Sequence, residues 1–364
     1  MNGQTSRIMS EYFRQLFIND TPLLDVRAGT EYEKGAFPTA TNIPVLNNQE
    51  RHDVGVIYKK HGPAAAEALG HRLVSGVVRQ QRLQQWIRFI EENQNTHLYC
   101  FRGGKRSGIV CEWLQEAGFI VPRIDGGYKA MRSFLLNQFT TLPSFLVVSG
   151  HTGVGKTEFL KNFTGSIDLE GLANHRGSAF GKRLQGQPAQ IDFENALAIE
   201  IIKRISKEQL PVVLEDEGRL IGRIMIPNNV KAAMDTSPVV VLKEDHNSRV
   251  ERILKDYILS QYDDLETLYG AEAIRYLGEE LLTATDAIRK RLGGVTHKKV
   301  RKLVTQALSQ HELGKPDAHR GWISVLLEVY YDPMYSYQLR QKQERIVFQG
   351  SREAILDWFS WYAQ

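Results

Sequence analysis

Apolar residues are set out along this chain in two rhythms. Short dense runs bounded by turn residues predict buried strands: residues 20–26 ending at Asp25-Val26-Arg27, His97-Leu98-Tyr99, Val121–Ile124, Phe145–Ser149, Pro211–Leu214 and Pro238–Leu242. Longer segments predict helices: around Glu31–Lys34, through 48–93, over Ile109–Ala117 closed by Gly118 as a C-cap, and from Lys156 to about Asn162. With Ser248 as N-cap, Val250, Ile253, Leu254, Tyr257 and Ile258 form an i, i+3, i+4, i+7, i+8 stripe, and the remainder reads as mostly helical. Strands alternating with helices imply parallel α/β sheets.

The run Thr140-Thr141-Leu142-Pro143-Ser144 punctuates this pattern and marks a boundary near 138–144. The expected organisation is an α/β domain over 1–138 with a helical insert at about 48–93, a second α/β domain over 145–247, and a mainly helical region over 248–364 packing on the second domain. No internal repeat or low-complexity segment interrupts it.

A length of 364 residues leaves room for two or three domains. Apolar content is 42%, and no stretch reaches the roughly 18 apolar residues of a membrane helix. Met1–Arg7 has no apolar signal core behind it, so no membrane association and a cytoplasmic location are expected. Cys100 and Cys111 make no disulfide framework and have no metal-ligand spacing, which fits a reducing compartment.

The net charge of +4 is mild, but its distribution is uneven. Between Arg289 and Lys302 stand seven basic residues and no acid: Arg289, Lys290, Arg291, Lys298, Lys299, Arg301 and Lys302. They read either as a patch for a nucleic-acid backbone or as a solvated helix face.

Two loops carry candidate chemistry. In Cys100-Phe101-Arg102-Gly103-Gly104-Lys105-Arg106-Ser107 a thiol ends a predicted strand just before a helix. A reactive cysteine needs a positive setting, because the thiolate is the nucleophile. Gly103 and Gly104 let the backbone curl, its N–H groups and the helix start add partial positive charge, and Arg102, Lys105 and Arg106 can neutralise an anion. Cys111 lies within the helix and reads as packing.

The second loop, Gly150-His151-Thr152-Gly153-Val154-Gly155-Lys156-Thr157, is a complete G-x-x-x-x-G-K-T phosphate loop between a strand and a helix. Gly150, Gly153 and Gly155 admit phosphate oxygens to the backbone, Lys156 supplies a charge, and Thr157 can reach a magnesium ion. The usual acidic strand end is imperfect here. In Val212-Val213-Leu214-Glu215-Asp216-Glu217, Glu215 intervenes, leaving Asp216 and Glu217 as the candidates for the Mg²⁺ shell. No firm metal site follows. The segment from Asp168 to Gly181 concentrates polar groups with little periodicity, which makes Asp168, His175, Arg176 and Ser178 candidates for a site loop.

Asp25-Val26-Arg27, Gly35-Ala36-Phe37-Pro38, Asn42-Ile43-Pro44, the Cys100 loop and Asp125-Gly126-Gly127-Tyr128 resemble the ordered signposts of a rhodanese domain. From Cys100 to Arg106 the loop is C-x5-R, one residue longer than in most sulfur-carrying rhodaneses and similar to rhodanese-like phosphatases. The wider cradle suits a tetrahedral phosphate-type anion.

A rhodanese-like domain joined to a phosphate-loop domain resembles the bacterial tRNA 2-selenouridine synthase family over essentially the whole chain. The runs Ala68-Leu69-Gly70-His71, Asp168-Leu169-Glu170-Gly171-Leu172-Ala173, His175–Gly181 and Tyr330-Tyr331-Asp332-Pro333-Met334-Tyr335 carry that likeness. The resemblance implies replacement of sulfur by selenium in the wobble 2-thiouridine of tRNAs such as those for Lys, Glu and Gln. Geranyl diphosphate and selenophosphate would be co-substrates, with Mg²⁺ as a candidate ion and a selenophosphate-supplying enzyme as a candidate partner. It places diphosphate on the phosphate loop and selenium chemistry on Cys100. The basic residues 289–302, with Arg79 and Arg82, would meet the tRNA backbone, and tyrosines among Tyr330–Tyr337 would either stack on a base or pack. Two other readings stay open: a C-x5-R phosphatase with a nucleotide-binding domain, and an RNA-binding ATPase or kinase with a docking rhodanese module.

Overall fold

The structure is a computed structural model that describes residues 3–209 and 211–362. Leu23–Asp25 (β1) runs between Ala40–Asn42 (β2) and His97–Tyr99 (β3), with both pairings parallel. Leu24, Val26 and Leu98 are fully buried beneath helices Gly76–Glu92 and Lys105–Glu116, which contribute Trp86, Val110, Trp113 and Leu114 to one core. The expected strand at Val121–Ile124 reduces to a bridge, in which Leu98 donates to Pro122 O at 2.9 Å and accepts from Ile124 at 2.8 Å. The turn at Gly126-Gly127 leaves it no further length.

The expected helical insert is two helices, Asn48–Leu73 and Gly76–Glu92. Asn47 and Glu50 cap the first reciprocally. At Gly62, φ of 81° bends the chain just ahead of Pro63, whose missing N–H suits the restart of a helix. Arg82 bonds Glu50 at 2.7 Å and Trp86 Nε1 donates to Ile43 O at 2.9 Å, tying the insert to the sheet.

Asp25 and Arg27 form a fully buried ion pair at 2.6 Å. The guanidinium also donates to Gly35 O at 2.8 Å and lies 3.9 Å from the Tyr128 ring centroid. Three separated stretches of sequence thus share one buried cation, whose removal would strand a charge at a cost of about 3–5 kcal/mol.

This unit spans the residues up to Thr141 and also takes in Ala189–Lys207. Helix Gln190–Ser206 buries Phe193, Leu197, Ile201 and Ile202. It packs along helices Gly3–Ile18 and Gly127–Asn137, where Arg132 bonds Glu194 and, at 2.9 Å, Asn195. The chain order alone would have assigned this helix to the second domain.

The second unit, Leu142–Pro188 with Glu208–Gln364, holds a five-stranded parallel sheet. Its strands are Phe145–Ser149 (β4), Ser166–Ile167 (β5), Val212–Glu215 (β6), Val239–Leu242 (β9) and Ile346–Gly350 (β10); Leu220–Ile221 (β7) and Ile224–Met225 (β8) form a separate hairpin. The spatial order is β10-β9-β4-β6-β5. Strand β10 lies within the segment expected to be helical. Its five residues alternate in exposure on the sheet edge, too short a pattern to stand out beside helix Arg352–Tyr362. Helices between His246 and Gln341 enclose a core including Ile253, Leu277, Leu281, Val300, Val304, Trp322 and Leu326. The first of them, His246–Ile253, is capped by Asp245, which accepts from Ser248 N at 2.9 Å; Ser248 itself lies inside the helix.

Candidate active sites

The phosphate loop leaves β4 in the middle of the second unit's sheet and returns into helix Lys156–Leu160. Gly153 and Gly155 have φ of 82° and 78°. A Cβ on Gly153 would come within 2.8 Å of Ile253 Cδ1, so glycine is required there on two counts. Two arginines of helix His246–Ile253 hold the loop's carbonyls. Arg249 Nε donates to Thr152 O at 2.9 Å and Arg252 Nη1 to Gly153 O at 2.7 Å. Arg249 is anchored in turn by Asp332 at 3.1 Å.

Lys156 is flanked by Glu170, Glu215 and Glu217. Burial works against its charge, but Tyr335 and these three carboxylates outweigh that and push its pKa up. Burial and mutual repulsion raise the carboxylates, Glu170 and Glu215 to about 8 and Glu217 to about 7. One oxygen from each lies within 4.8 Å of the others. Thr157 Oγ1 sits 3.3 Å from Glu170 Oε2 and 3.2 Å from Glu215 Oε2.

Of the two candidates for the Mg²⁺ shell, Glu217 joins this cluster and Asp216 does not. The Asp216 carboxylate accepts from Ser149 Oγ at 2.6 Å and is paired with Lys342. Glu215, which looked like an interruption, takes its place.

A cleft of about 880 Å³ opens over the loop, and Lys156, Glu170, Arg176, Ser178, Arg183 and Arg252 are among its walls. Arg183 Nε is buried without a partner. Arg176 lies 5.2 Å from the Tyr257 ring centroid and Tyr335 lies 5.5 Å from Lys156 Nζ. Gly177 packs so closely that a Cβ would approach Glu170 Oε1 to 2.4 Å. His175 is buried behind it; burial, then Arg183 and Arg176, push its pKa down. Asp168 caps a short helix by accepting from Gly171 N at 2.6 Å and does not line the cleft. Four residues shared with this cleft, Thr152, Ser178, Ile253 and Tyr257, open onto an apolar recess walled by Phe180, Trp322, Leu326 and Tyr331.

The first unit carries the other loop. Cys100 follows β3, buried at the floor of a cleft of about 830 Å³. Its Sγ is 3.2 Å from Ser107 Oγ. Burial pushes the thiol up, but hydrogen bonds from the Ser107 hydroxyl and the backbone amides of Ser107 and Arg102, with the Arg106 charge, hold it below the ordinary thiol value. Cys111 is pushed up by its burial. Gly126-Gly127 closes against the loop's backbone, Tyr128 N donates to Cys100 O at 2.9 Å, and a Cβ on Gly127 would meet that same oxygen at 2.2 Å.

Around this cleft Arg102 is exposed, while Arg106 is bonded to Glu31 at 3.0 Å and Lys105 is paired with Glu67. Gly103, with φ of 63°, packs on Ile124 and Gly126, and Gly104 leads into the helix. Arg27, Lys34 and Arg51 also line the cleft.

These geometries can be set beside known proteins. The family described as tRNA 2-selenouridine synthase AAA domain matches residues 143–364. A tRNA 2-selenouridine synthase of Pseudomonas putida is 47% identical over 352 residues, covering 95% of this chain and 95% of that protein. The chain belongs to the tRNA 2-selenouridine synthase family. Relatives of the same name from Hahella chejuensis and a Shewanella species are 45% and 44% identical, over 96% and 98% of this chain and 94% and 100% of theirs.

For a tRNA 2-selenouridine synthase family member, an enzyme of transferase type, a nucleic-acid surface is expected as well. Arg289, Lys290, Arg291, Lys298, Lys299, Arg301 and Lys302 are all exposed, on helices Arg289–Leu292 and Gly294–Glu312. Arg301 bonds Asp286 at 3.3 Å. Arg79 and Arg82 are different, being paired with Glu116 and Glu50 inside their own unit. Among the tyrosines, Tyr331 is buried, Tyr335 faces Lys156 and Tyr337 is exposed. No described helix is long and apolar enough to cross a membrane.

Glu170, Glu215, Arg183, Arg249 and Arg252 were not singled out by sequence reasoning. The available signals were the place of Glu170 inside the polar segment Asp168–Gly181 and the i, i+2 spacing of Glu215 and Glu217, which puts both on the same side of an extended chain.

Proposed function

We propose that this enzyme replaces the sulfur of wobble 2-thiouridine by selenium in cytoplasmic tRNAs of the Lys, Glu and Gln type, by way of an S-geranyl intermediate. The observation that carries the two-step reading is the pair of anion cradles of different character. One is a phosphate loop with a half-buried lysine and three carboxylates. The other surrounds a thiol of lowered pKa.

In the first step the thiocarbonyl sulfur attacks C1 of geranyl diphosphate. The C1–O bond breaks, pyrophosphate leaves with the electron pair, and the uridine N3 proton goes to solvent. Gly150, Gly153, Gly155, Lys156 and Thr157 hold the diphosphate, and Lys156 stabilises the charge growing on the leaving oxygen. Arg176 and Arg183 face the same cleft. Glu170, Glu215, Glu217 and Thr157 offer only oxygen donors, which fits a hard divalent cation such as Mg²⁺, and the crowding that raises their pKa values is what a cation relieves. When bound, that ion would neutralise part of the diphosphate charge.

In the second step selenium from selenophosphate forms the new C2–Se bond. Geranylthiol departs as the C2–S bond breaks, and water takes the phosphoryl group. Cys100 is the proposed thiol that orients selenophosphate at the cradle, the selenium passing to C2 without change of oxidation state, with Arg102, Arg106 and the Gly103-Gly104 backbone around the anion. The exposed basic face at 289–302 is the proposed tRNA contact, and an enzyme that makes selenophosphate is the proposed supplier.

Purified protein incubated with 2-thiouridine tRNA, geranyl diphosphate and selenophosphate should yield geranylated and then selenated nucleoside by mass spectrometry. If folded protein gives neither product, this reading fails.

A further inference from the structure

At the edge of the second unit's sheet, a pocket of about 450 Å³ is walled by β9, β10 and helix Asp332–Gln341. His151, the second residue of the phosphate loop, closes one side, with its Nε2 3.2 Å from Ser336 Oγ. The helix therefore serves two places at once. Tyr335 lines the cleft over the phosphate loop, 5.5 Å from Lys156 Nζ, while Ser336, Leu339 and Arg340 line this pocket.

The cations here divide into two kinds. Lys342 is paired with Asp216, and Arg345 donates to Met234 O at 3.0 Å and Ser237 O at 2.8 Å, so both serve the fold. Lys243 and Arg340 line the pocket, are exposed, and have no side-chain hydrogen bond or ion pair among the described residues. No carboxylate is among the pocket's described lining residues. The other walls are of two sorts as well. Val241 is buried, and Leu339 and Ile346 are half-buried, giving an apolar surface; Gln343 and Gln349 are exposed amides.

An apolar surface, amide groups and two free cations match the three parts of a nucleotide: the face of its base, the polar edge of that base and its phosphate. The volume lies within the roughly 300–1,000 Å³ of ordinary ligand sites. Single-stranded RNA is recognised in this manner, through unstacked bases and cations on the phosphates. The place decides which nucleotide. A tRNA whose wobble base reaches the phosphate loop must lodge the neighbouring nucleotides within one backbone step of it, and Tyr335 and Ser336 are adjacent on the helix dividing the two spaces.

We infer that this pocket receives a nucleotide of the anticodon loop next to the wobble position, with Lys243 and Arg340 meeting its phosphate. The inference rests on the proposed alkylation of the wobble base at the phosphate loop. It adds a tRNA contact beside the reacting base, separate from the basic face at 289–302.

The test uses full-length protein and a fluorescent anticodon stem–loop containing 2-thiouridine, with binding read by anisotropy. Because neither cation holds the fold, protein carrying both Lys243→Gln and Arg340→Gln should melt as wild type does. Its affinity should fall about tenfold, and the slope of log affinity against log salt should shrink by about 0.7, the share of one single-strand phosphate. A second series places a neutral methylphosphonate at each phosphate of the loop in turn. At one position beside the wobble nucleotide it should weaken wild-type binding about as much as the two substitutions do, and leave the variant's binding unchanged.

Unchanged affinity in the variant overturns the inference, and so do methylphosphonate losses that add to the variant's loss at every position. A variant that loses binding of free uridine monophosphate while holding the stem–loop normally also overturns it, making this a free-nucleotide site. Wild-type protein that shows the expected phosphate dependence but forms no geranylated nucleoside overturns the two-step reading and leaves the pocket an RNA contact.

Discussion

Thr157 Oγ1 sits 3.2 Å from Glu215 Oε2, bringing the first turn of the phosphate-loop helix onto the acidic end of β6. The Glu170 amide reaches the same side chain, donating to Oε1 at 2.8 Å. Glu215 is therefore held by two elements at once, and it is this glutamate rather than Asp216 that joins Glu170 and Glu217 in the carboxylate cluster.

If these oxygens hold Mg²⁺, Glu215→Gln removes a ligand. Mg²⁺ should raise the melting temperature of wild-type protein and do so far less for the variant, with geranylation falling by about a hundredfold. Asp216→Asn, which touches Ser149 and Lys342, should keep its Mg²⁺ response.

The pH dependence follows from the raised carboxylates. A carboxyl whose folded pKa lies above its unfolded value stabilises fully below the unfolded value, and loses that contribution as pH rises through the folded one. With folded values of about 7 to 8, the metal-free protein should lose stability from about pH 5 to about pH 8. A cation binds the ionised cluster, so the Mg²⁺-induced melting shift should grow across that window. An equal shift at about pH 6 and about pH 8.5 would contradict this.

The two steps should separate genetically. Lys156→Ala should abolish geranylation. Cys100→Ala should abolish selenation of S-geranyl tRNA while sparing geranylation. Equal loss of both steps in a folded Cys100→Ala protein would rule out separate sites.

Ser107 is a positioning residue for the thiol. Without its hydroxyl, burial should carry the Cys100 pKa upward. In a Cys111→Ser background, the pH midpoint of iodoacetamide alkylation should rise in Ser107→Ala, measured by mass spectrometry. An unmoved midpoint would assign the lowered pKa to the backbone amides and Arg106 alone.

Exposed cations that meet phosphates reveal themselves through salt. Replacing Lys298, Lys299 and Lys302 with Gln should weaken tRNA binding and reduce the slope of log affinity against log salt by about one unit for each phosphate no longer neutralised. Unchanged affinity and slope would leave this face simply solvated.

Both loops were legible in the sequence because their demands are local. Gly153 and Gly155 take positive φ, strands precede both loops, and helices follow. The rhodanese-like signposts were legible too, although their reason was not, since Asp25-Arg27, Gly35 and Tyr128 come together only in the fold, around one buried guanidinium. The carboxylate cluster was half legible. Alternation along an extended chain sends Glu215 and Glu217 one way and Asp216 the other, but which way faces the lysine depends on the β4–β6 pairing.

The sequence by itself thus determined the groups at hand: a thiol in a glycine-rich basic turn, a G-x-x-x-x-G-K-T loop between strand and helix, and a block of cations free of acids. Backbone conformation and charge at neighbouring positions are properties of short segments. Only the tertiary structure decided which acids converge on Lys156, that Arg249 and Arg252 hold the phosphate loop, and that helix Gln190–Ser206 packs with the first unit. An apolar helix face will bury against any complementary surface, and a carboxylate acquires its role from what folding places within a few ångströms of it.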